Sequence, residues 1–410
     1  MTDSGGGVVV FCTQYKGHQK RMMPIVAGLI GAGIPVHVFA DQGARADMEG
    51  VGAGFSDLYW RQPYTEIDPG TTRPTSGWSV TFAGLYGEDV AREVEPLRPR
   101  LILHDTLMPV ARVVAIRLGL PRVVMRMGQA FDPQKLRQRY ATDPSMAPSV
   151  SDKCREAVRI LQEKHGIAEA SPFLAFSDAG GELNIYSEPS QFMAARPGEP
   201  PDTVEYFGSL WPASHSAADG APSPFGPLSE GRVRVYISFG TVVWDVHASE
   251  AQAALEALAD AIAEMPAVAA LISLGGGDLP ALAARLARRN VRVERYVDQI
   301  RVLRDASVFV THHGMNSTHE AIYYGVPMIS YPFIWDQPGI AARCQELGLA
   351  VPLAPEPLAR VSVPDVRRAL DRIASGGDEL RRRLAEARQW ELDVIARRPA
   401  VIERIKALMA

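Results

Sequence analysis

Two residues far apart in this chain have the types that a proton transfer needs. His18 follows Gly17, just after an apolar run at 8–12, and stands at the start of a helical stretch. Asp105 ends a second apolar run at 101–104. Both runs look like strands, so both residues fall at strand C-terminal ends, the edge where open α/β sheets bind ligands. A carboxylate beside an imidazole fixes the ring tautomer and stabilises the cation formed when the ring takes a hydroxyl proton. The competing reading is structural: each residue could simply cap the helix that follows it. His104 precedes Asp105 on the same strand, should point to the opposite side, and is expected to be structural.

A second constellation is denser. Thr311-His312-His313-Gly314-Met315-Asn316-Ser317-Thr318-His319-Glu320 is followed by Gly325-Val326-Pro327 and then Trp335-Asp336-Gln337. Apolar 306–310 should be a buried parallel strand, and 316–324 a helix. The junction would present backbone N–H groups and the positive end of the helix dipole, which suits a phosphate. Glu320 lies one turn beyond Asn316 on the same helix face and could accept hydrogen bonds from ribose hydroxyls. Asp336 and Gln337 end the next strand-like run, 327–333, and could reach sugar hydroxyls. Ser317 and Glu320 also fit a capping box that needs no ligand, and that alternative stays open. Ser238-Phe239-Gly240-Thr241 ends another strand; glycine allows close backbone approach, and hydroxyl and N–H groups there could hold a diphosphate. Gly275-Gly276-Gly277 could pass near a nucleotide or form only a turn.

The elements that must position these groups alternate as strand and helix. The first half reads as strand 8–12, helix 19–32 and strand 35–39, a βαβ unit that implies a parallel sheet. Strand 100–105, helix 110–118 and strand 121–125 repeat the pattern. Residues 41–95 look irregular and carry Trp60, Tyr64, Trp78, Phe82 and Tyr86; residues 131–180 look helical and polar. Strands 183–187 and 204–207 close the half. Residues 212–231, rich in Pro, Ala, Ser and Gly, read as a linker. Strand 233–239 restarts the pattern, followed by helix 249–264, strand 268–274, short strands 291–294 and 307–311, and a helical tail over 363–410. The expected organisation is therefore an N-terminal domain at 1–211, a linker at 212–231, a C-terminal domain at 232–388 and a final helix at 389–410.

Bulk properties narrow the class. At 410 residues the chain can hold two or three domains, and 47% hydrophobic with 22% charged residues is an ordinary globular balance. A net charge of −4 gives no general field for nucleic acid. Three scattered cysteines, Cys12, Cys154 and Cys344, offer neither a disulfide framework nor zinc spacing, so a reducing cytoplasm is expected. No run approaches the ~18 apolar residues of a membrane helix.

The 311–337 string resembles the donor-binding signature of nucleotide-sugar-dependent glycosyltransferases of family 1, which runs approximately Thr-His-Gly-Gly-Met/Trp-Asn-Ser, Glu, Gly-Val-Pro, Asp-Gln. Tyr15-Lys16-Gly17-His18 with Pro24 is similar to that family's Gly-His start, and 101–121 to its strand, Asp, helix and Gly-Leu-Pro pattern. The resemblance implies the GT-B fold: α/β, with two facing Rossmann-like domains, parallel sheets, an interdomain cleft, and a last helix crossing back to the first domain. It implies an inverting hexosyltransferase with His18 as base and Asp105 as its partner. Donor contacts would come from Ser238, Gly240, Thr241, His312, Gly314, Met315, Asn316, Ser317, Glu320, Asp336 and Gln337. Tyr296 would stack on the base, with Val297 and Gln299 beside it. The acceptor would be a small, apolar, hydroxyl-bearing natural product, lined by Trp60, Tyr64, Trp78, Phe82, Met125 and Phe131, as in bacterial antibiotic biosynthesis.

The chain departs from that pattern at Tyr296 for a frequent Trp, Arg21 for a frequent Pro, and His313 for Gly or Cys. The His-His-Gly form resembles dTDP-deoxysugar enzymes, whereas Asn-Ser…Glu and Asp-Gln resemble UDP-hexose enzymes. Glu320 favours UDP, because a carboxylate can hold both ribose hydroxyls and dTDP lacks the 2′ group. No cofactor or metal is expected beyond the nucleotide-sugar co-substrate, since a helix dipole can stand in for a cation. No nucleic-acid or membrane partner is expected, and the state would be monomer or homodimer. The alternatives are a non-catalytic nucleotide-sugar-binding subunit and a lipid glycosyltransferase at the membrane surface.

Overall fold

The computed structural model describes residues 6–71, 76–127, 150–178, 180–193, 198–210, 222–226, 230–356 and 358–410. The chain divides into one compact unit of Met1–Trp211 with Val394–Ala410 and a second of Pro212–Asp393.

The first unit is built on β1 (Val8–Phe11), β2 (Val36–Ala40), β3 (Gly54–Asp57), β4 (Leu101–Asp105), β5 (Arg122–Arg126), β6 (Leu183–Tyr186) and β7 (Val204–Tyr206). They pair in the order β3-β2-β1-β4-β5-β6-β7, all parallel. Strands such as Val8–Phe11 are apolar throughout because parallel strands are covered on both faces. Alternation splits them cleanly. Val8 and Val10 join one core with Met22, Ile25 and Ile402, while Val9 and Phe11 join the other with Val80, Ala83 and Val110.

The second unit holds β8 (Val233–Ser238), β9 (Val268–Ser273), β10 (Val291–Glu294), β11 (Val308–Thr311), β12 (Met328–Ser330) and β13 (Ala350–Pro352). Their order is β10-β9-β8-β11-β12-β13, again all parallel. Both sheets reverse strand order beside their first strand, β1 with β4 and β8 with β11. That switch point opens a crevice at the strand C-terminal ends.

Two expectations need correction. Residues 41–95 are not irregular throughout: they contain β3 and a 19-residue helix, Ser76–Val94. Its residues 79–84 are all buried. A helix covered all round shows no amphipathic stripe, so its period is hidden in the sequence. The tail is helical as expected, in two helices, Val363–Ser375 and Gly377–Ala407, but the last one starts well before 389; Ser362 with Asp365 forms a capping box at the first. Among the described residues no helix is long and apolar enough to cross a membrane.

Candidate active site

In the first unit the switch point brings His18 and Asp105 together. Phe11 of β1 lies beside His104 of β4, so the two chains leave the sheet next to each other. Thr13 holds the first turn: its Oγ1 accepts from the Tyr15 N–H at 3.0 Å, and its carbonyl accepts from Gln19 Nε2 at 3.0 Å. The helix Lys16–Gly31 starts there, with His18 as its third residue. Asp105 is fully buried, and its Oδ1 accepts from the Leu107 N–H at 2.8 Å. Its Oδ2 lies 2.6 Å from His18 Nδ1. A carboxylate can only accept, so Nδ1 carries a proton, and in the neutral ring Nε2 keeps its lone pair. The His18 side chain is 26% exposed, enough for Nε2 to receive a proton from a bound hydroxyl.

His104 is buried on the far side of Asp105. Its Nδ1 lies 2.8 Å from the Asp105 carbonyl and its Nε2 3.2 Å from Arg122 Nη1. Burial, followed by the Arg122 charge, pushes the ring down to about 4, so it is neutral.

The aromatic residues beside His18 form a chain of ring contacts. Tyr15 lies 5.9 Å from the His18 ring and 6.5 Å from Tyr64, which touches Tyr59 and Trp78 edge-on. Tyr15, Tyr59, Tyr64, Leu107 and Met108 enclose a cavity of about 10 Å³, room for about one water. Tyr15 is not among the residues expected from sequence to line the acceptor, though it stands in the Tyr-Lys-Gly-His string. Burial raises the Tyr59 and Tyr64 hydroxyls well above their usual range. A wider, shallow groove along Val363, Arg367 and Asp371 carries none of the candidate residues.

The acceptor set is corrected in part. Met125 is fully buried and Phe82 is 4% exposed, both packed in the cores. Met125 faces inward because alternation along β5 points it there. Trp78 is half-buried, and its indole N–H donates to the Asp68 carbonyl at 2.8 Å. Trp60 is 62% exposed under the Arg61 guanidinium, outside the ring chain. Phe131 lies outside the described residues. Arg21, a departure from the family pattern, is buried and pairs with Glu188 at 2.5 Å.

The second unit assembles its candidates at its own switch point. Ser238, Ser273 and Thr311 end three adjacent strands in register. Gly240 follows with φ 75°. A Cβ there would lie 2.7 Å from His312 Nε2, and one at Gly314 would meet the same atom. The His312 ring is therefore seated against two glycine backbones. Burial pushes it down to about 4, so it is neutral. Gly275 lies against the Gly240 carbonyl, so the first of the three glycines is required by a close approach. Thr241 is exposed.

His313 explains its own departure. Its φ is 59°, a left-handed conformation that glycine adopts freely and histidine rarely does. The buried ring spans Thr318 Oγ1 at 3.2 Å and Ser330 Oγ at 2.8 Å. Burial, with His312 alongside, pushes it to about 3. It holds the turn rather than a ligand.

The helix Met315–Tyr324 begins with Gly314 as N-cap, a residue with no side chain to cap it. Ser317 is its third residue, so Ser317 and Glu320 do not form a capping box. Both instead accept from Gln299 Nε2, at 3.0 Å and 2.5 Å. Gln299 Oε1 accepts from the Tyr236 hydroxyl at 3.2 Å, and Tyr236 stacks on Phe309. Tyr236 carries no sequence signal, being one apolar-looking position in a buried strand. Met315 is buried and Asn316 half-buried. Tyr296 is 65% exposed, and Val297 is half-buried. Asp336 is the N-cap residue of the helix Gln337–Glu346. Gln337 turns back: its Oε1 accepts from Phe333 and Ile334 N–H groups at 2.9 and 3.2 Å. On the buried side of the Met315–Tyr324 helix, His319 Nδ1 meets Glu391 Oε1 at 2.5 Å, a partner 72 residues away with no sequence signal.

Residues 228–377, nearly the whole of this second sheet and its helices, match the family model described as UDP-glucoronosyl and UDP-glucosyl transferase. The match lies wholly within the second unit. An uncharacterised UDP-glucosyltransferase of Bacillus subtilis (strain 168) is 27% identical over 56% of this chain and 55% of its own. The chain thus spans about half the length of that relative. The 4'-demethylrebeccamycin synthase of Lentzea aerocolonigenes is 24% identical over 98% of both chains. The crystal structure of the glycotransferase of kitacinnamycin superposes with a TM-score of 0.77 at 20% identity, covering 99% of this chain and 100% of that one. That likeness gives the fold: GT-B, of the α/β class.

Proposed function

We propose that the protein is an inverting O-glycosyltransferase. It moves a hexose or deoxyhexose from a UDP-sugar to a hydroxyl of a small hydrophobic natural-product aglycone. The observation that carries the catalytic part is the 2.6 Å contact of His18 Nδ1 with the buried Asp105 carboxylate. With Nδ1 held as a donor, Nε2 takes the acceptor hydroxyl proton. The oxygen attacks the anomeric carbon from the face opposite the nucleotide, and the C–O bond to the diphosphate breaks. The diphosphate charge develops against the uncapped N-terminus of Met315–Tyr324, with His312 and Thr241 nearby, so binding energy is concentrated on the transition state. The helix dipole takes the place of a divalent cation.

The family description and the names of the relatives support glycosyl transfer. The UDP preference rests on Glu320, already oriented by Gln299, as the ribose anchor. The aromatic wall from Tyr15 to Trp78 supports an apolar acceptor. Thermal melting of the metal-free protein with UDP, dTDP and their sugars tests the donor. A rise with UDP compounds is expected. A rise with dTDP compounds alone would reverse the donor assignment, and no rise with any nucleotide would overturn the reading. Turnover that survives His18→Ala intact would remove the base.

A further inference from the structure

Asp105 is the pivot of the proposed chemistry, yet its carboxylate meets just two partners among the described residues, His18 and the Leu107 N–H. What holds the residue itself lies behind it. Its carbonyl accepts from the Met108 N–H at 3.0 Å and faces His104 Nδ1 at 2.8 Å. Only one ring nitrogen of a neutral imidazole can donate. Arg122 Nη1, always protonated, donates to His104 Nε2 at 3.2 Å, so Nε2 is the acceptor and Nδ1–H is aimed at the Asp105 carbonyl. Arg122 is held in turn by Asp178, 2.8 Å from Nη1 and 3.2 Å from Nη2. Arg112 lies 3.8 Å from the same carboxylate. His104, Asp105 and Asp178 are each no more than 4% exposed, and Arg122 is 9% exposed.

We infer that His104 is a positioning residue for the His18–Asp105 pair, set in its donating tautomer by the buried Arg122–Asp178 ion pair. The inference rests on the proposed base mechanism for its kinetic consequence and on the geometry alone for the hydrogen bond. A donor fixed on the Asp105 carbonyl fixes the peptide plane after Asp105, which carries the Leu107 turn and hence the carboxylate. Misplacement of a reacting group by about 1 Å costs ~10²-fold in rate. A buried ion pair is weak evidence of stabilisation, whereas setting one tautomer and one geometry suits it.

The test compares His104→Asn, His104→Gln and His104→Ala in the full-length protein. An asparagine amide reaches the Nδ1 position and can still donate to the carbonyl. A glutamine amide reaches the Nε2 position and cannot. The expected result is a kcat about 10–100-fold lower for Gln and Ala, with donor and acceptor KM within about twofold, and rescue to within about threefold of wild type by Asn. If Ala fails to fold, the Asn–Gln contrast decides. Equal kcat in Asn and Gln, or wild-type kcat in both, would overturn the inference. A second readout needs no turnover. The His18 Nδ1 proton resonance, assigned by its loss in His18→Ala, should persist in Asn and shift or broaden in Gln. An unchanged resonance in Gln sinks the positioning role even if the chain proves not to be a glycosyltransferase. Absence of glycosyl transfer by the wild type, with the resonance contrast intact, would instead sink only the function.

Discussion

Asp105→Asn separates the charge of the carboxylate from its shape. The amide occupies the same volume at a fully buried position. The Leu107 N–H, 2.8 Å from Oδ1, can be satisfied only by the amide oxygen, so the amide NH₂ must take the place of Oδ2. That group then sits about 2.6 Å from His18 Nδ1, where the carboxylate oxygen had been. A donor now faces the ring, so Nδ1 becomes the acceptor and the proton moves to Nε2. The nitrogen meant to receive the acceptor proton is already protonated. General-base catalysis contributes ~10²–10⁴-fold, so kcat should fall by about that factor, roughly 3–5 kcal/mol of barrier. Both hydrogen bonds survive, the one to His18 with donor and acceptor exchanged, so the unfolding free energy should change by no more than ~1–2 kcal/mol. Donor KM should hold, because the donor candidates lie in the other unit. Initial rates with saturating nucleotide-sugar, beside a urea melt, measure both quantities. A kcat within tenfold of wild type in a folded Asp105→Asn protein would refute the tautomer argument.

Other outcomes follow from the second unit and from buried histidines. Gly240→Ala places a side chain at φ 75° and 2.7 Å from His312 Nε2, and should cost about 2 kcal/mol or more in chemical denaturation together with weaker UDP binding; an unchanged melt would show that the loop gives way freely. Glu320→Gln should weaken UDP by ~10–100-fold in calorimetry and dTDP by clearly less, since only UDP offers two hydroxyls; equal losses would remove Glu320 from the ribose. His104 and His313 are held neutral in the folded state by burial, first of all, at about 4 and about 3. The unfolded chain, with histidines near pKa ~6.5, binds more protons below that pH, so stability is full above ~6.5 and declines as pH falls towards 3–4. Between pH 7 and 5 each ring should cost about 2 kcal/mol. Urea midpoints at those two pH values check this, and a flat response would contradict it.

The local grammar of the site is legible because it is local. Strand, small-residue turn and helix follow each other within a short stretch around Ser238–Thr241 and His312–Glu320, and the order of apolar runs and helices implies parallel sheets. His18 and Asp105 can be nominated for the same reason, since each stands at the end of an apolar run. Their meeting cannot be read in that way. They are 87 residues apart, and their contact depends on β1 and β4 being neighbours in the sheet. The register matters as much: Val8 pairs with Leu101 and Phe11 with His104, which brings the two strand ends level.

Packing sorts the polar residues that serve the site from those that serve the fold. His313, adjacent to His312, is committed to Thr318 and Ser330 because its left-handed backbone turns it inward. Ser317 and Glu320 are drawn to Gln299 instead of to a cap because the helix starts two residues before Ser317. Met125 and Phe82 read as pocket residues in sequence, but the packing of β5 and of the Ser76–Val94 helix buries them. Motif types and their order depend on backbone geometry over a few residues, so they are written in the sequence. The partners of His18, His104 and Gln299 emerge only in the folded chain, because hydrogen bonds between distant residues are set by strand order and burial, not by spacing.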